Sequence, residues 1–171
     1  MPRALDLAIL RALREHGHQP HLQRAVLVFT RAGEHGLLWQ ALCLCGLVLD
    51  RRRRAVYLRT MRTVLLAYLA NIALKYLVRR SRPDLEGLPP LSSTVTSLSF
   101  PSAHSTTSFA AARALGAGGL ARRPLYGLAS AMAVSRLYAG VHYPTDVLAG
   151  AAFGTALADL LGPPAGGRFA A

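Results

Sequence analysis

The chain has 171 residues, 52% of them hydrophobic and only 16% charged, with 20 Lys and Arg against 8 Asp and Glu. A soluble domain carries about 25% charged residues, so the composition sets aside an ordinary soluble fold and points to one compact membrane domain. In a soluble chain the net charge of +12 would suggest a nucleic-acid partner. Here the arginines flank apolar runs, as at Arg51 to Arg54, with few aromatics among them, so membrane topology and an anionic ligand explain them better, and no nucleic acid is expected.

In chain order, Ala4 to Glu15 places Leu and Ile at helical spacing with Asp6, Arg11 and Arg14 between them, the pattern of an amphipathic interfacial helix. Met1 to Gln19 carries no signal-peptide apolar core, so insertion falls to internal segments. After a break at 16–20, Leu22 to Thr30 reads as a short apolar helix bearing Arg24. Leu37 to Leu49 is uncharged but short for a span, which needs about 20 residues. To cross, it must continue through the 31–35 region or sit in a thinned bilayer. Its Cys43 and Cys45 are two apart on a helix, do not face each other, and read as small buried hydrophobes without a zinc site.

The tetra-arginine run ends that segment. Val64 to Val78, starting as early as Tyr57, is the next span, broken by Asn71 and Lys75. Residues 79–101, with four prolines and a Ser/Thr cluster, form a polar loop. A helix is expected from Pro101, with Pro in first position, to Gly116–Gly119. Arg122-Arg123-Pro124 reads as a tight turn, Leu125 to Val141 as a span, and Pro144 as the restart of a helix through Leu161. Gly150, Ala151, Ala152, Gly154 and Ala156 are small enough to let helices pack closely in lipid.

The expected fold is all-α, a polytopic membrane bundle of about five to six helices with an amphipathic N-terminal segment. Residues 1–35 are its interfacial helices, 36–162 the transmembrane domain and 163–171 a flexible tail. Arg51 to Arg54 and Arg122-Arg123 fall on one face, cytoplasmic by the positive-inside rule. The motifs then face outward from a bacterial plasma membrane. Arg3, Arg11, Arg14, Arg24 and Arg31 share that outer side and pull against this orientation.

Three segments carry the chemistry: Lys75, six residues, then Arg82-Pro83; Pro101-Ser102-Ala103-His104; and Ser135-Arg136, five residues, His142, three residues, Asp146. This pattern resembles the type 2 phosphatidic acid phosphatase (PAP2) family, which shares its site with the vanadium haloperoxidases. The resemblance spans about residues 64 to 160. One departure is Ala103, where the family usually has Gly; Ala keeps the backbone N–H and accepts helical angles. The resemblance implies a membrane phosphatase acting on lipids such as phosphatidate, phosphatidylglycerol phosphate or polyprenyl diphosphates. The stretch Leu98 to Ala112 is also similar to small actinobacterial members acting on decaprenylphosphoryl phosphoribose, a narrower option.

The residues support the same roles. Lys75, Arg82 and Arg136 neutralise a phosphate; Arg136 interrupts an apolar stretch, where a charge needs a partner or a site. His142 is the candidate nucleophile, forming a phosphohistidine. Asp146, in the first turn of the last helix, reaches back to fix its tautomer. His104 is the candidate general acid and base. Ser102 and the amides of Ser102, Ala103 and His104 lie at a helix start, where anions bind; Ser102 also suits a helix cap. Arg79, Arg80 and Asp84 receive no role. The fixed cations supply what Mg²⁺ supplies elsewhere, so no metal and no cofactor is expected. The expected partners are a lipid phosphate and the bilayer. Two other readings remain: a lipid-phosphate binder or carrier without chemistry, and a vanadate-dependent peroxidase, for which the short loops leave little room.

Overall fold

A computed structural model describes residues 2–16 and 19–162; the tail expected at 163–171 lies outside the described residues. Seven α-helices follow one another: α1 (Pro2–Glu15), α2 (Pro20–Ala32), α3 (Leu37–Leu49), α4 (Arg54–Val78), α5 (Ala103–Ala117), α6 (Arg122–Tyr138) and α7 (Pro144–Leu160). Short 3₁₀ turns at Glu34–Gly36 and Arg51–Arg53 lead into α3 and α4. The chain is all-helical: among the described residues the only β pairing is an isolated bridge between Ser81 and Leu98. Two of the seven, α1 and α2, make up the N-terminal segment, where the sequence reading also has two helices, and five follow it.

α4, 25 residues long, together with the turn before it, is long and apolar enough to cross a membrane. α2 and the 34–49 segment pass the same test only as a pair, bent by 54° at the break between them. The short uncharged segment at 37–49 thus gains length through the 31–35 region, but around a corner.

Two starts differ from the sequence reading. α5 begins at Ala103 rather than Pro101, because Ser102 is extended and caps the helix, its Oγ accepting from Ser105 N at 3.5 Å. Arg122-Arg123-Pro124 is the first turn of α6 rather than a loop; a proline is tolerated there because first-turn N–H groups have no helical acceptor.

α5 is the central helix, packed on α4, α6 and α7. Its contact with α7 is backbone to backbone. A Cβ built on Gly150 would lie 2.6 Å from Ser102 O, and one on Gly154 would collide with Thr106 O. At the opposite end of the bundle, Gly118 closes on Val56 and Gly116 on the Arg122 side chain, which gathers the starts of α4 and α6 with the end of α5. There Trp39, Cys43, Val56, Tyr57, Val64, Ala111, Ala112, Leu115 and Ala129 form the main apolar core. Cys45, expected to be buried, is exposed.

The outer surface is apolar: Leu44, Val48, Leu65, Leu69, Leu77, Val134, Leu148 and Leu160 are all exposed. α1 is amphipathic in an inverted sense. Asp6, Leu10 and Arg14, one turn apart, are buried, while Leu5, Ile9 and Leu13 face outward.

Candidate active site

The helices converge so that six sequence-predicted residues line one cavity of about 420 Å³: Lys75, Arg82, Ala103, His104, Arg136 and His142. Lys75 comes from the last turn of α4, Arg82 from the loop after it, Ala103 and His104 from the first turn of α5, Arg136 from the last turn of α6, and His142 from the loop before α7. The close approach of α7 to α5 sets the frame. Ser102 N donates to Asp146 O at 3.0 Å, tying the two helix starts together.

The three cations differ in how they are held. Lys75 Nζ donates to the carbonyls of Leu98, Ser99 and Pro101 at 3.3, 3.2 and 2.9 Å. With three donors committed, it anchors the 98–101 loop and offers the cavity its charge. Arg82 donates from Nε to Thr96 O at 2.8 Å and from Nη1 to Val141 O at 2.7 Å. The same Nη1 lies 3.3 Å from His142 Nε2. Burial pulls the Arg82 pKa down to about 10, against the pull of Asp146, which leaves it cationic at neutral pH. Arg136 donates from Nη1 to Thr30 Oγ1 at 2.7 Å, and its Nε is a buried donor without a protein partner. Such an orphan costs about 1–3 kcal/mol unless a ligand accepts from it.

His142 is 2% exposed. Its Nε2 faces Arg82, and its Nδ1 lies 3.5 Å from Asp146 Oδ2, longer than a hydrogen bond. Burial first, then Arg82, Arg136 and Lys75, push the His142 pKa well below the ordinary imidazole value, so it rests neutral. His104 Nε2 lies 3.0 Å from Thr30 O. A carbonyl only accepts, so Nε2 carries the proton and Nδ1 is the nitrogen left for the cavity.

Asp146 and Ser102 sit behind the cavity wall, both fully buried. The Asp146 carboxylate reaches back to the start of its helix, where Oδ2 accepts from Tyr143 N at 2.9 Å. Ser102's hydroxyl is spent on the α5 cap.

Sequence reasoning missed what holds Asp146. Arg80 donates to Asp146 Oδ1 at 2.7 Å, to Thr145 Oγ1 at 2.7 Å and to Asp6 Oδ2 at 2.8 Å, and stacks 3.9 Å over the Tyr143 ring. Asp6 in turn accepts from Thr145 N at 3.1 Å and from the Thr145 hydroxyl. The α1 helix is therefore bolted to the back of the site, and Arg14 fixes it further by donating to Pro89 O at 2.6 Å. Thr30 of α2 is missed in the same way, although it serves both His104 and Arg136. An acid set between leucines in the first half of α1, in a chain with 8 acids, was the one signal for Asp6; Thr30 left none.

Among the described residues no group of three or more His, Cys, Asp or Glu could hold a metal. The PAP2 superfamily model matches residues 57–161. Decaprenylphosphoryl-5-phosphoribose phosphatase of Mycobacterium tuberculosis is 38% identical over 136 residues, 80% of this chain and 76% of that protein. The protein of the same name from Mycolicibacterium smegmatis is 34% identical over 149 residues, 87% of this chain and 82% of the relative. Among solved structures, a transmembrane PAP2-type phosphatidylglycerolphosphate phosphatase from Bacillus subtilis superposes with a TM-score of 0.78 at 26% identity, covering 93% of this chain and 83% of its own. LpxE of Aquifex aeolicus superposes with a TM-score of 0.70 at 22% identity over 92% and 94% of the two chains, a likeness of fold.

Proposed function

The chain belongs to the PAP2 superfamily, and on that premise we propose a membrane enzyme that removes phosphate from a polyprenylphosphoryl sugar phosphate or a related lipid phosphate through a phosphohistidine, without a metal. That it is a lipid phosphate phosphatase follows from the family and its named relatives. The finer reading rests on one observation above all: three cations and two imidazoles bound a single cavity. The choice among lipids is supported by the name its relatives carry.

In the first step the His142 Nε2 lone pair attacks phosphorus in line, and the phosphate oxygens take over the Arg82 Nη1 and Arg136 Nε donors. The N–P bond forms as the P–O bond to the lipid alcohol breaks. The substrate binds as its monoanion; His104 Nδ1 takes the phosphate's own proton and passes it to the leaving oxygen. The positive charge that develops on His142 draws Nδ1–H towards Asp146, shortening the 3.5 Å contact. In the second step neutral His104 takes a proton from water, water oxygen attacks phosphorus, the N–P bond breaks, and inorganic phosphate leaves.

The apolar outer surface of α3, α4, α6 and α7 supports a bundle that crosses the bilayer several times. The division into an N-terminal part at 1–35 and a phosphatase domain at 36–162 belongs to the same reading. Exposed arginines at 51–54, 122 and 123 support a cytoplasmic opposite end, a plasma-membrane address and an outward-facing site.

The test is phosphate release from a panel of lipid phosphates in proteoliposomes, with and without EDTA, together with denaturant trapping of labelled phosphate on the protein. The expected results are EDTA-insensitive turnover, inhibition by vanadate, and a trapped acid-labile phosphoenzyme that disappears in His142→Ala. Binding without release would favour a carrier, and halide oxidation with vanadate a peroxidase.

A further inference from the structure

One flank of the cavity lies outside the 57–161 stretch that the family model matches. It is the turn Gly33–Gly36, wedged between α2 and α3 and packed on α4 and α5. The turn touches the candidate general acid: a Cβ on Gly33 would come within 2.9 Å of His104 Cδ2. Because attack is in line, the leaving group must sit on the side of phosphorus away from His142 and beside His104. Whatever carbon skeleton carries the scissile phosphate therefore meets this turn.

The flank is rich in acceptors short of donors. Glu34 lines the cavity within electrostatic reach of Arg136, but among the described residues no cation stands within 4.0 Å of its carboxylate to pair with it directly. Asn71, fully buried and also lining the cavity, spends Nδ2 on Thr106 Oγ1 at 2.9 Å and Pro101 O at 3.3 Å, while its Oδ1 has no partner. His35 is held at φ 53°, a strained conformation for a residue with a side chain. Its Nδ1 pairs with Tyr68 Oη at 2.6 Å. On α4 the side from Tyr68 through Asn71 to Lys75 covers about 10 Å of helix, enough for a phosphate at the Lys75 end and a small ring beyond it.

An ionised carboxylate accepts and cannot donate. Beside a diacylglycerol or a bare prenyl chain it would be buried against groups without donors, at a cost. Beside the second phosphate of a diphosphate it would repel. It is matched by hydroxyl groups. Resting on the phosphatase reading above, we propose that Glu34 and Asn71, with the His35–Tyr68 pair behind them, form a subsite for a hydroxyl-bearing leaving group of the polyol or pentose class, and that Glu34 determines specificity for it.

The experiment compares a short-chain prenylphosphoryl ribose 5-phosphate with its 2,3-dideoxy analogue and with phosphatidate, using the full chain in proteoliposomes. The wild type is expected to favour the diol over the dideoxy compound by about tenfold to a hundredfold in kcat/KM, the worth of one or two hydrogen bonds to a charged acceptor. In Glu34→Ala the ratio between the two should collapse to within about threefold. Glu34→Gln, which keeps a carbonyl acceptor, should fall between the two. Tyr68→Phe, which leaves the backbone intact, should lower the ratio if Glu34→Ala fails to fold. An unchanged ratio in a folded Glu34→Ala, or equal activity of the wild type on diol and dideoxy substrates, overturns the subsite while leaving the phosphatase standing. Absence of phosphate release from any of the three substrates overturns the phosphatase reading instead. The subsite is then read from binding of ribose 5-phosphate against inorganic phosphate, and equal weakening of both by Glu34→Ala refutes it.

Discussion

Both ends of the bundle are rich in arginine, and they use it in opposite ways. At one end Arg51 to Arg54, Arg122 and Arg123 are exposed. Their best contact is an Arg53–Asp50 pair at 2.8 Å with both partners partly solvated, and such pairs are worth little. At the other end Arg14 and Arg136 are buried, and Arg80 and Arg82 partly so, each engaged by carbonyls, a hydroxyl or carboxylates. Burial and partners, rather than number, distinguish an arginine that orients a chain from one that builds a site.

The largest expected effect lies at the buried end. His142→Ala should lower turnover by at least about a thousandfold, as loss of a nucleophile does, measured as phosphate release with the phosphoenzyme trapped in parallel. Near-normal turnover in that variant would dissolve the contrast between the ends. The same imidazole sets the acid limb. Its pKa lies below the ordinary value, and protonation silences it. Thus kcat/KM, corrected for the substrate's own ionisation near about pH 6, should hold as pH falls through about 6.5 and drop only below that. A midpoint at the ordinary value would mean the ring is solvated.

His104→Ala should cost about a hundredfold to ten-thousandfold, the usual range for a positioned acid. Arg136→Lys keeps charge but loses the planar fork, and a loss of about tenfold to a hundredfold in kcat/KM is expected. Asp6→Asn sharpens the comparison further, because it lies on a helix without any motif. It should lower kcat by about three- to tenfold with KM little changed, since Arg80 loses the charged partner that holds it on Asp146. An effect confined to thermal stability would reduce the network to scaffolding. Smallest of all, Arg52→Gln combined with Arg53→Gln should leave turnover of correctly inserted protein within about twofold.

The sequence made one half of the site legible and left the other half silent, for a physical reason. Lys75, Arg82, His104, Arg136 and His142 stand at spacings tied to helix ends, and charges beside apolar runs advertise themselves. The convergence of their helices follows from small residues that the sequence displays openly, Gly150 and Gly154 above all. Asp6, Thr30 and Arg80 act across 65 to 139 positions of chain, and little in the local sequence marks them. Thr30 looks like any threonine in an apolar helix until α2 is seen against His104. The amphipathic pattern of α1 was readable, but its direction was not, because period alone does not say which stripe faces protein. The corner between α2 and α3 was hidden for the same reason: composition measures length and says nothing of a 54° bend.

The backbone contact between α7 and α5 has a consequence of its own. Gly154 against Thr106 and Gly150 against Ser102 set the two backbones in direct contact, so the jaw that carries one imidazole on each side is held at a close, set gape. Such a jaw cannot close around a small headgroup or widen for a bulky one. Selection among lipids must come from whatever is bolted onto its rim, and evolution can exchange that rim without touching the hinge-free machine beneath.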